Sequence, residues 1–278
     1  MTKSPLLTII IPARNEGATL PTLLRSLARQ NRISDCEVLV VDGASTDNTV
    51  AVAESFPYAR AVKSTRGRAV QMNSGAQAAR AKALWFLHAD TTLPDHSCVD
   101  ALLSALAQPG VNSGAFQFHL RGTNLWFQFV NKMVNLRAKA FQRPFGDQGI
   151  FVDAAAFREV GGYRELEVCE DVDLVLRLRK TGRFCLLPQT VETSARTWQA
   201  HGPAKITFWH LAVLARYQWQ RMTGKLPPVA ALSPAKIEEP KAVSSKLEAP
   251  ASSQISVQST PAEGVSTSAS GDVAEQSS

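Results

Sequence analysis

The stretches LTIIIPARNE (residues 7–16) and CEVLVVDGAS (residues 36–45) decide the fold. Each contains a continuous aliphatic run and ends in short polar residues. Such a run, without polar alternation, is typical of a strand that helices cover on both faces. We therefore predict a parallel sheet in which the polar residues of both stretches follow the carboxyl ends of their strands.

The same alternation continues through the first hundred residues. Strand-like runs at 6–11, 36–42, 60–63 and 83–90 alternate with helix-like segments at 18–30, 47–55, 67–81 and 95–107. This is typical of βαβ units and a Rossmann-like, mostly parallel sheet flanked by helices. From about residue 110 the pattern becomes α+β, with a strand at 113–120, a basic helix at 123–139, a strand and short helix within 149–157 and a helix within 169–182.

Composition divides the chain near Pro227. The chain has 278 residues and is 45% hydrophobic, but residues 227–278 contain no aromatic residue and are rich in Ser, Ala, Pro and Glu. Such a segment buries too little apolar surface to offset the entropy lost on ordering. We predict a folded domain over 1–226 and a disordered, low-complexity tail over 227–278.

The predicted domain is basic. The tail holds three lysines and six acidic residues of the 30 basic and 24 acidic residues in the chain, so residues 1–226 carry a net charge of +9 against +6 for the whole chain. This favours an anionic partner: a nucleic acid, a membrane surface or a phosphorylated small molecule.

Cysteine spacing and hydropathy indicate the compartment. Cys36, Cys98, Cys169 and Cys185 are widely spaced, which predicts free thiols. The N-terminus has no signal-length apolar region, and no run approaches the roughly 20 apolar residues needed to cross a bilayer. We expect a cytoplasmic protein.

Two nucleotide-binding classes fit the first turn poorly. PARNEGATL (residues 12–20) is neither the G-x-G-x-x-G of a dinucleotide-binding dehydrogenase nor a P-loop. It also lacks the Gly-rich basic loop expected of a sugar nucleotidyltransferase, which leaves that class as a weaker alternative.

Six segments together resemble family 2 glycosyltransferases, which have the GT-A fold. They occur in family order over residues 6–182: TIIIPARNE, VLVVDGASTDNT, RGRAVQMNSGAQAA, LWFLHAD, GDQGIFVDAAAFREVGGY and EDVDLVLRL. FLHAD, GDQ and a later W-x-x-H-G are similar to a bacterial subgroup labelled arsenosugar-biosynthesis or radical-SAM-associated glycosyltransferases. The second half would then be the acceptor side.

The resemblance implies an inverting glycosyltransferase. Its donor would be a UDP- or GDP-sugar, its acceptor a hydroxyl of a small molecule or a lipid-linked compound, and no nucleic acid would be bound. A non-catalytic nucleotide-sugar-binding protein is the main alternative.

Residues expected near the donor nucleotide follow the first three strands. By resemblance, Asp42 would read the base, although DGAS is also good turn chemistry. Asp47 is expected to cap the following helix and Pro12 to stop the first strand. Arg68 would suit the diphosphate, or be a solvated basic residue. The donor set implied by the resemblance is Pro12, Ala13, Arg14, Glu16, Asp42, Arg68, Asn73, His88 and Asp90.

FLHAD predicts a divalent metal site. By resemblance to the family's Asp-x-Asp pattern, Asp90 would be the metal ligand, and His88 would stand where the first acid contacts ribose. His201 would be the second ligand, or it only precedes a turn at Gly202. Hard oxygen ligands suit Mn²⁺ or Mg²⁺, and an imidazole favours Mn²⁺.

The catalytic base is expected in CEDVDL. Asp171 matches the family's catalytic aspartate, and the cluster with Glu170 and Asp173 would raise carboxylate pKa values through like-charge repulsion. Asp173 would instead pair with Arg177. By resemblance, Asp147, Gln148 and Glu170 would contact the acceptor or the donor sugar.

The segment 203–222 combines aromatic and basic residues. This suits either a helix lying at the inner face of a membrane or ordinary packing on the domain. We therefore predict a peripheral membrane contact through 203–222, with ordinary packing on the domain as the alternative.

Overall fold

Four stretches of the chain, residues 4–122, 125–166, 168–194 and 203–227, are described by the computed structural model. His201 and nearly all of the predicted tail lie outside these described residues, so the metal-ligand role of His201 and the disorder of the tail remain predictions.

Eight strands of the described part form one sheet. They are β1 (Leu7–Ala13), β2 (Cys36–Asp42), β3 (Ala59–Lys63), β4 (Ala83–Phe86), β5 (Thr91–Thr92), β6 (Val111–Leu120), β7 (Phe151–Asp153) and β8 (Arg183–Thr193). Their order is β3-β2-β1-β4-β7-β6-β8-β5. The first four strands are parallel, β7 runs antiparallel between β4 and β6, and β6 pairs with β8 in parallel.

Helices lie along this sheet. They are α1 (Leu20–Ala28), α2 (Thr49–Glu54), α3 (Arg68–Ala78), α4 (Cys98–Leu106), α5 (Leu125–Phe141), α6 (Ala154–Glu159), α7 (Glu170–Leu178) and α8 (Pro203–Met222). The predicted α/β class, a mostly parallel sheet flanked by helices, is confirmed.

The strands of the parallel half are buried on both faces, as their continuous apolar runs predict. Residues 9–11 of β1 and 38–41 of β2 are at most 1% exposed, because helices cover both faces of these strands. Leu20, Leu23, Leu24 and Leu27 form the buried stripe of α1. On α3, a side chain at Gly75 would overlap Ile10, so this helix lies directly on the strands.

The free edge of β6 is closed by side-chain amides. β7 pairs with β6 only at Ser113 and Gly114. Beyond that point, Gln148 donates to the Phe116 carbonyl at 3.0 Å, and Asn135 both accepts from the Phe118 amide at 2.8 Å and donates to its carbonyl at 2.9 Å. Asn131 accepts from the Leu120 amide at 2.7 Å. Amides on α5 and the 146–148 turn thus take the place of a neighbouring strand.

Four details differ from the sequence predictions. Pro12 does not stop β1, because the strand runs to Ala13. β4 pairs with β1 only up to Ile10, so the N–H that Pro12 lacks is not needed for a hydrogen bond to β4. The strand predicted over 83–90 ends at Phe86.

The start of α2 and the strand β8 are the other two differences. The N-cap of α2 is Asn48 rather than Asp47, although the Asp47 carboxylate still accepts from the Thr49 amide at 3.0 Å. The strand β8 has no counterpart among the predicted elements.

Apolar side chains are exposed along α5. Leu125, Trp126, Phe129, Met133, Leu136 and Phe141 are 38–80% exposed, while Asn131 and Asn135 face the sheet. None of the helices in the described residues is long and apolar enough to cross a membrane.

The side-chain amides that bind the edge of β6 should contribute to the stability of the domain. Asn135→Ala leaves the amide and the carbonyl of Phe118 without their partner, so we expect unfolding free energy to fall by about 1–3 kcal/mol. Chemical denaturation measures this change. Gln128→Ala, on the exposed side of the same helix, is the matched control and should change stability by less than about 0.5 kcal/mol. Equal effects from both substitutions would contradict this role for Asn135.

Candidate active site

The loops that follow β1 and β2 are tied together at the carboxyl edge of the sheet. The Asn15 amide donates to Ser45 Oγ at 2.9 Å, and the Thr46 amide donates to Asn15 Oδ1 at 2.8 Å. The Glu16 amide donates to Thr49 Oγ1 at 2.8 Å. Both loops therefore form one wall beyond the strand ends, where open α/β sheets bind ligands.

The residues of this wall that are predicted to bind the donor nucleotide differ in solvent exposure. Arg14 is exposed and Glu16 is half-buried, with its carboxylate accepting from the Thr19 hydroxyl. Asp42 is only 7% exposed, and its carboxylate accepts from the Ser45 amide at 3.2 Å. Asp42 thus forms the turn that DGAS predicts, and its contact with a base stays a prediction.

A second wall is built around the first residues of α7. Arg68, the first residue of α3, forms an ion pair with Glu170, the first residue of α7. Glu170 is 1% exposed. Burial and the neighbouring Asp171 raise the pKa of Glu170, although Arg68 opposes this shift.

Asp171 is held by backbone amides. One carboxylate oxygen accepts from the Gly146 amide and the other from the Val172 amide at 2.8 Å. A side chain at position 146 would come within 2.9 Å of both the Asp171 carboxylate and His88 Nε2, so only glycine fits there. The GDQ motif therefore places FLHAD against the start of α7.

Asp147 has a strongly perturbed carboxyl group in this wall. Burial, and then the charges of Asp171 and Asp90, raise its pKa to about 7, while Arg137 and Arg68 act in the opposite direction. Its buried Oδ1 has no hydrogen-bond partner among the described residues. A carboxyl group that titrates near neutral pH beside a second carboxylate is typical of catalytic sites.

His88 is a neutral imidazole in this setting. Burial, with a smaller effect of Arg68, lowers its pKa to about 3. Asp90 is half-buried two residues further along, close enough to Asp147 to affect its titration. His88 and Asp90 therefore share one cluster with Asp147 and Asp171.

The described residues of this cluster could supply only part of the ligands of a metal ion. Within the part of the chain that the structure describes, no group of three or more His, Cys, Asp or Glu side chains is arranged to hold a metal ion. The carboxylates of Asp90 and Asp147 are hard oxygen donors, which suit Mn²⁺ or Mg²⁺ when phosphates and water supply the other ligands.

Asp173 has a structural role, as predicted from its spacing. It accepts from Arg177 and from Arg164, each at 2.8 Å, and from the Tyr217 hydroxyl of α8 at 3.1 Å. Three donors from three segments therefore fix one carboxylate at 3% exposure. This network attaches α8 to α7.

Two predicted site residues are structural in this arrangement. The Asn73 amide group donates to the Tyr163 carbonyl and accepts from the Tyr163 amide, each at 2.8 Å. Gln148 is fully buried and joins Phe145 to Phe116. Their polar atoms already hold backbone, and the contacts of Asn73 with the donor and of Gln148 with a sugar stay predictions.

Backbone strain concentrates in the same region. Asn15, Ala44 and Cys169 have φ values of 55°, 62° and 64°, which are unusual for residues other than glycine. They lie in the loops after β1 and β2 and immediately before Glu170. Such conformations persist where the surroundings over-determine them, as at binding sites.

Arg137 belongs to this site, although no motif in the sequence predicts it. Its guanidinium lies 3.7 Å from the centre of the Phe145 ring, and its charge acts on Asp147. A single arginine in a basic amphipathic helix carries no motif, so only the fold brings it to the site.

The family assignment agrees with this arrangement. Residues 8–160, more than half of the chain, match the model of Glycosyl transferase family 2. The chain therefore belongs to this family.

Relatives extend the comparison. An uncharacterised glycosyltransferase of Haemophilus influenzae is 27% identical over 64% of this chain and 64% of its own length. A PGL/p-HBAD biosynthesis glycosyltransferase of Mycobacterium bovis is 31% identical over 63% of this chain and 70% of its own length. The chain thus matches about two thirds of each relative.

Solved structures share the fold. The mannosyltransferase PcManGT from Pyrobaculum calidifontis in complex with GDP-Man and Mn²⁺ has a TM-score of 0.55 and 23% identity, over 69% of this chain and 57% of that one. S. aureus TarS 1-349 in complex with UDP has a TM-score of 0.55 and 16% identity, over 68% of this chain and 60% of that one. At these identities the likeness establishes the fold alone.

The raised pKa of Asp147 predicts that its carboxyl group lowers folding stability as pH rises. Between about pH 4 and 7 the unfolded carboxyl group loses its proton before the folded one, so stability falls as pH rises through this window. Asp147→Asn should remove the cost and raise unfolding free energy at pH 8 on the order of 4 kcal/mol, with the gain fading towards pH 4.

Urea denaturation across this pH range measures the effect. Glu159→Gln, an exposed acid on α6, is the control and should leave the pH profile unchanged. A gain for Asp147→Asn that is the same at pH 4 and pH 8 would show that its charge is not the cause.

Proposed function

We propose that the protein is an inverting glycosyltransferase that moves a sugar from a UDP- or GDP-sugar to an acceptor hydroxyl. The observation that carries this proposal is the cluster at the carboxyl edge of the sheet, where α7 brings Asp171 against Gly146 and His88. Family membership supports the class of reaction.

In the proposed reaction Asp171 is the general base. As the acceptor oxygen bonds to the anomeric carbon, the bond from that carbon to the diphosphate oxygen breaks on the opposite face. The hydroxyl proton passes to Asp171, and the electron pair leaves with the nucleoside diphosphate. The Gly146 and Val172 amides fix the carboxylate for this role.

A divalent cation, Mn²⁺ or Mg²⁺, is part of the proposal. Asp90 and, outside the described residues, His201 are the proposed ligands. The bound ion would offset the charge that builds on the departing diphosphate. The presence of Mn²⁺ with GDP-Man in the PcManGT structure supports this choice.

The arsenosugar-biosynthesis subgroup and a cytoplasmic location remain predictions from the sequence. A non-catalytic nucleotide-sugar-binding protein is the alternative to catalysis. The raised pKa values of Asp147 and Glu170 favour catalysis, because buried carboxylates are costly and a binder has no need of them.

Replacing the base should separate binding from transfer. Asp171→Asn keeps the side-chain size but removes the proton acceptor, so we expect donor affinity to stay within about twofold and turnover to fall about 10³-fold. Calorimetry measures the affinity, and release of nucleoside diphosphate measures turnover. Glu159→Gln, an exposed acid on α6, is the matched control and should retain turnover. If Asp147→Asn abolishes turnover and Asp171→Asn does not, Asp147 is the base.

We also propose that α8 contacts an anionic membrane surface, together with α5. One face of α8 packs on the domain through Tyr217, but Trp219 and Met222 are 54% and 81% exposed. The outer face of α5 is apolar, and neither helix contains an acidic residue. Exposed apolar side chains among basic residues are typical of interfacial helices.

Vesicle binding tests this contact. The full chain should co-sediment with vesicles that contain phosphatidylglycerol and much less with phosphatidylcholine alone. The double substitution Phe129→Ser and Trp219→Ser should weaken binding about tenfold. Leu6→Ser, which removes an exposed apolar side chain elsewhere, should leave it unchanged. Equal binding to both vesicles, or no effect of the double substitution, would contradict the proposal.

A further inference from the structure

A cavity of about 310 Å³ lies between α5, the loop before Gly146, α7 and α8. This volume is at the lower end of the range for small-molecule sites. Its walls are mainly apolar, from Phe141, Phe145, Val172 and Leu214, and its charged lining residues are Arg137 and Arg143. The described lining thus contains two cations and no acid.

The two arginines have unused hydrogen-bonding capacity. Nε and Nη2 of Arg137 and Nε of Arg143 are buried, and none of these atoms has a hydrogen-bond partner in the described parts of the chain. Buried guanidinium donors normally have partners, because leaving them unpaired is costly. A planar fork of such donors is suited to a carboxylate or a phosphate.

Electrostatics at the cavity also favour an anion. Burial holds the pKa of Arg137 below its usual value, although Asp147 and Asp171 act in the opposite direction. An anion in the cavity would offset part of this desolvation. The stacking of Arg137 on Phe145 fixes the guanidinium at the wall while leaving its edge available.

The position of the cavity identifies which substrate it serves. Phe145 and Val172, which line it, are the chain neighbours of Gly146 and Asp171, the two partners of the hydrogen bond at the proposed base. The loops after β1 and β2, where the nucleotide is expected, contribute none of the described lining. The cavity is therefore next to the base and on the acceptor side.

We propose that this cavity binds the acceptor, and that the acceptor carries an anionic group, a phosphate or a carboxylate, next to an apolar part. Arg137 and Arg143 would bind the anionic group, and Phe141, Phe145 and Leu214 would contact the apolar part. This inference rests on the proposed function, because it assigns the acceptor of that reaction.

Octyl phosphate is a suitable probe, with calorimetry on the full chain as the measurement. It should bind saturably, and Arg137→Gln and Arg143→Gln should each weaken binding about tenfold, as expected for loss of a charge-assisted pair. Arg137→Lys, which keeps the charge, should weaken it less than Arg137→Gln. Arg60→Gln, which removes an exposed charge on β3, is the control and should have no effect.

Three further ligands distinguish the sources of binding. 1-Octanol should bind at least about tenfold more weakly than octyl phosphate if the anion is recognised. Inorganic phosphate should also bind more weakly if the apolar wall contributes. Octyl phosphate affinity should be unchanged by UDP or GDP. Equal affinity for octanol, equal affinity for inorganic phosphate, or displacement by a nucleoside diphosphate would each overturn the proposal.

Donor hydrolysis on the same samples separates this inference from the proposed function. If donor is hydrolysed but octyl phosphate does not bind, the cavity assignment fails and the transferase assignment stands. If octyl phosphate binds as described but no UDP- or GDP-sugar is hydrolysed, the cavity remains an anion site and the transferase assignment fails.

Discussion

The burial of two adjacent carboxylates at the start of α7 is the constraint on which the site depends. Glu170 and Asp171 are 1% and 8% exposed, and charges at such positions need fixed partners. Arg68 from α3 supplies one partner and the Gly146 amide supplies the other. The helix N-terminus adds its positive end. Because these partners come from both halves of the chain, the cluster forms only when the whole domain is folded.

The second half of the domain holds these partners in place. Gln148, in the turn that carries Gly146, donates to the free edge of β6, and Asn131 and Asn135 of α5 continue the same edge. α5 also carries Arg137 to the side of Asp147. The side-chain amides thus connect the proposed base, the proposed acceptor cavity and the exposed apolar face of α5 in one unit.

The sequence predicts the first half well because its signals are local. Continuous apolar runs identify β1 and β2, and the motif order identifies the family, which the match over residues 8–160 confirms. The strand β8 gives no comparable signal: it contains Pro188 and has few fully buried positions. Its pairing with β6, about 70 residues earlier in the chain, is set by tertiary contacts that no local pattern encodes.

The roles of site residues are likewise predicted from the sequence only where their partners are close in the chain. The position of Asp171 at the first turn of α7 and the ion pair of Asp173 with Arg177 follow from spacing along one helix. The structural roles of Asn73 and Gln148 do not, because their partners, Tyr163 and Phe116, are distant in sequence. A polar residue inside a family motif can therefore hold the backbone rather than the ligand, and sequence alone does not distinguish these roles.

The most direct test of the central claim is nucleoside diphosphate release by the full chain from a panel of UDP- and GDP-sugars, in the presence of Mn²⁺ and after its removal by a chelator. The account predicts slow release from at least one donor, which stops on removal of the metal and returns when Mn²⁺ is restored. Tight nucleotide binding without release from any donor would contradict it and identify the protein as a nucleotide-sugar binder.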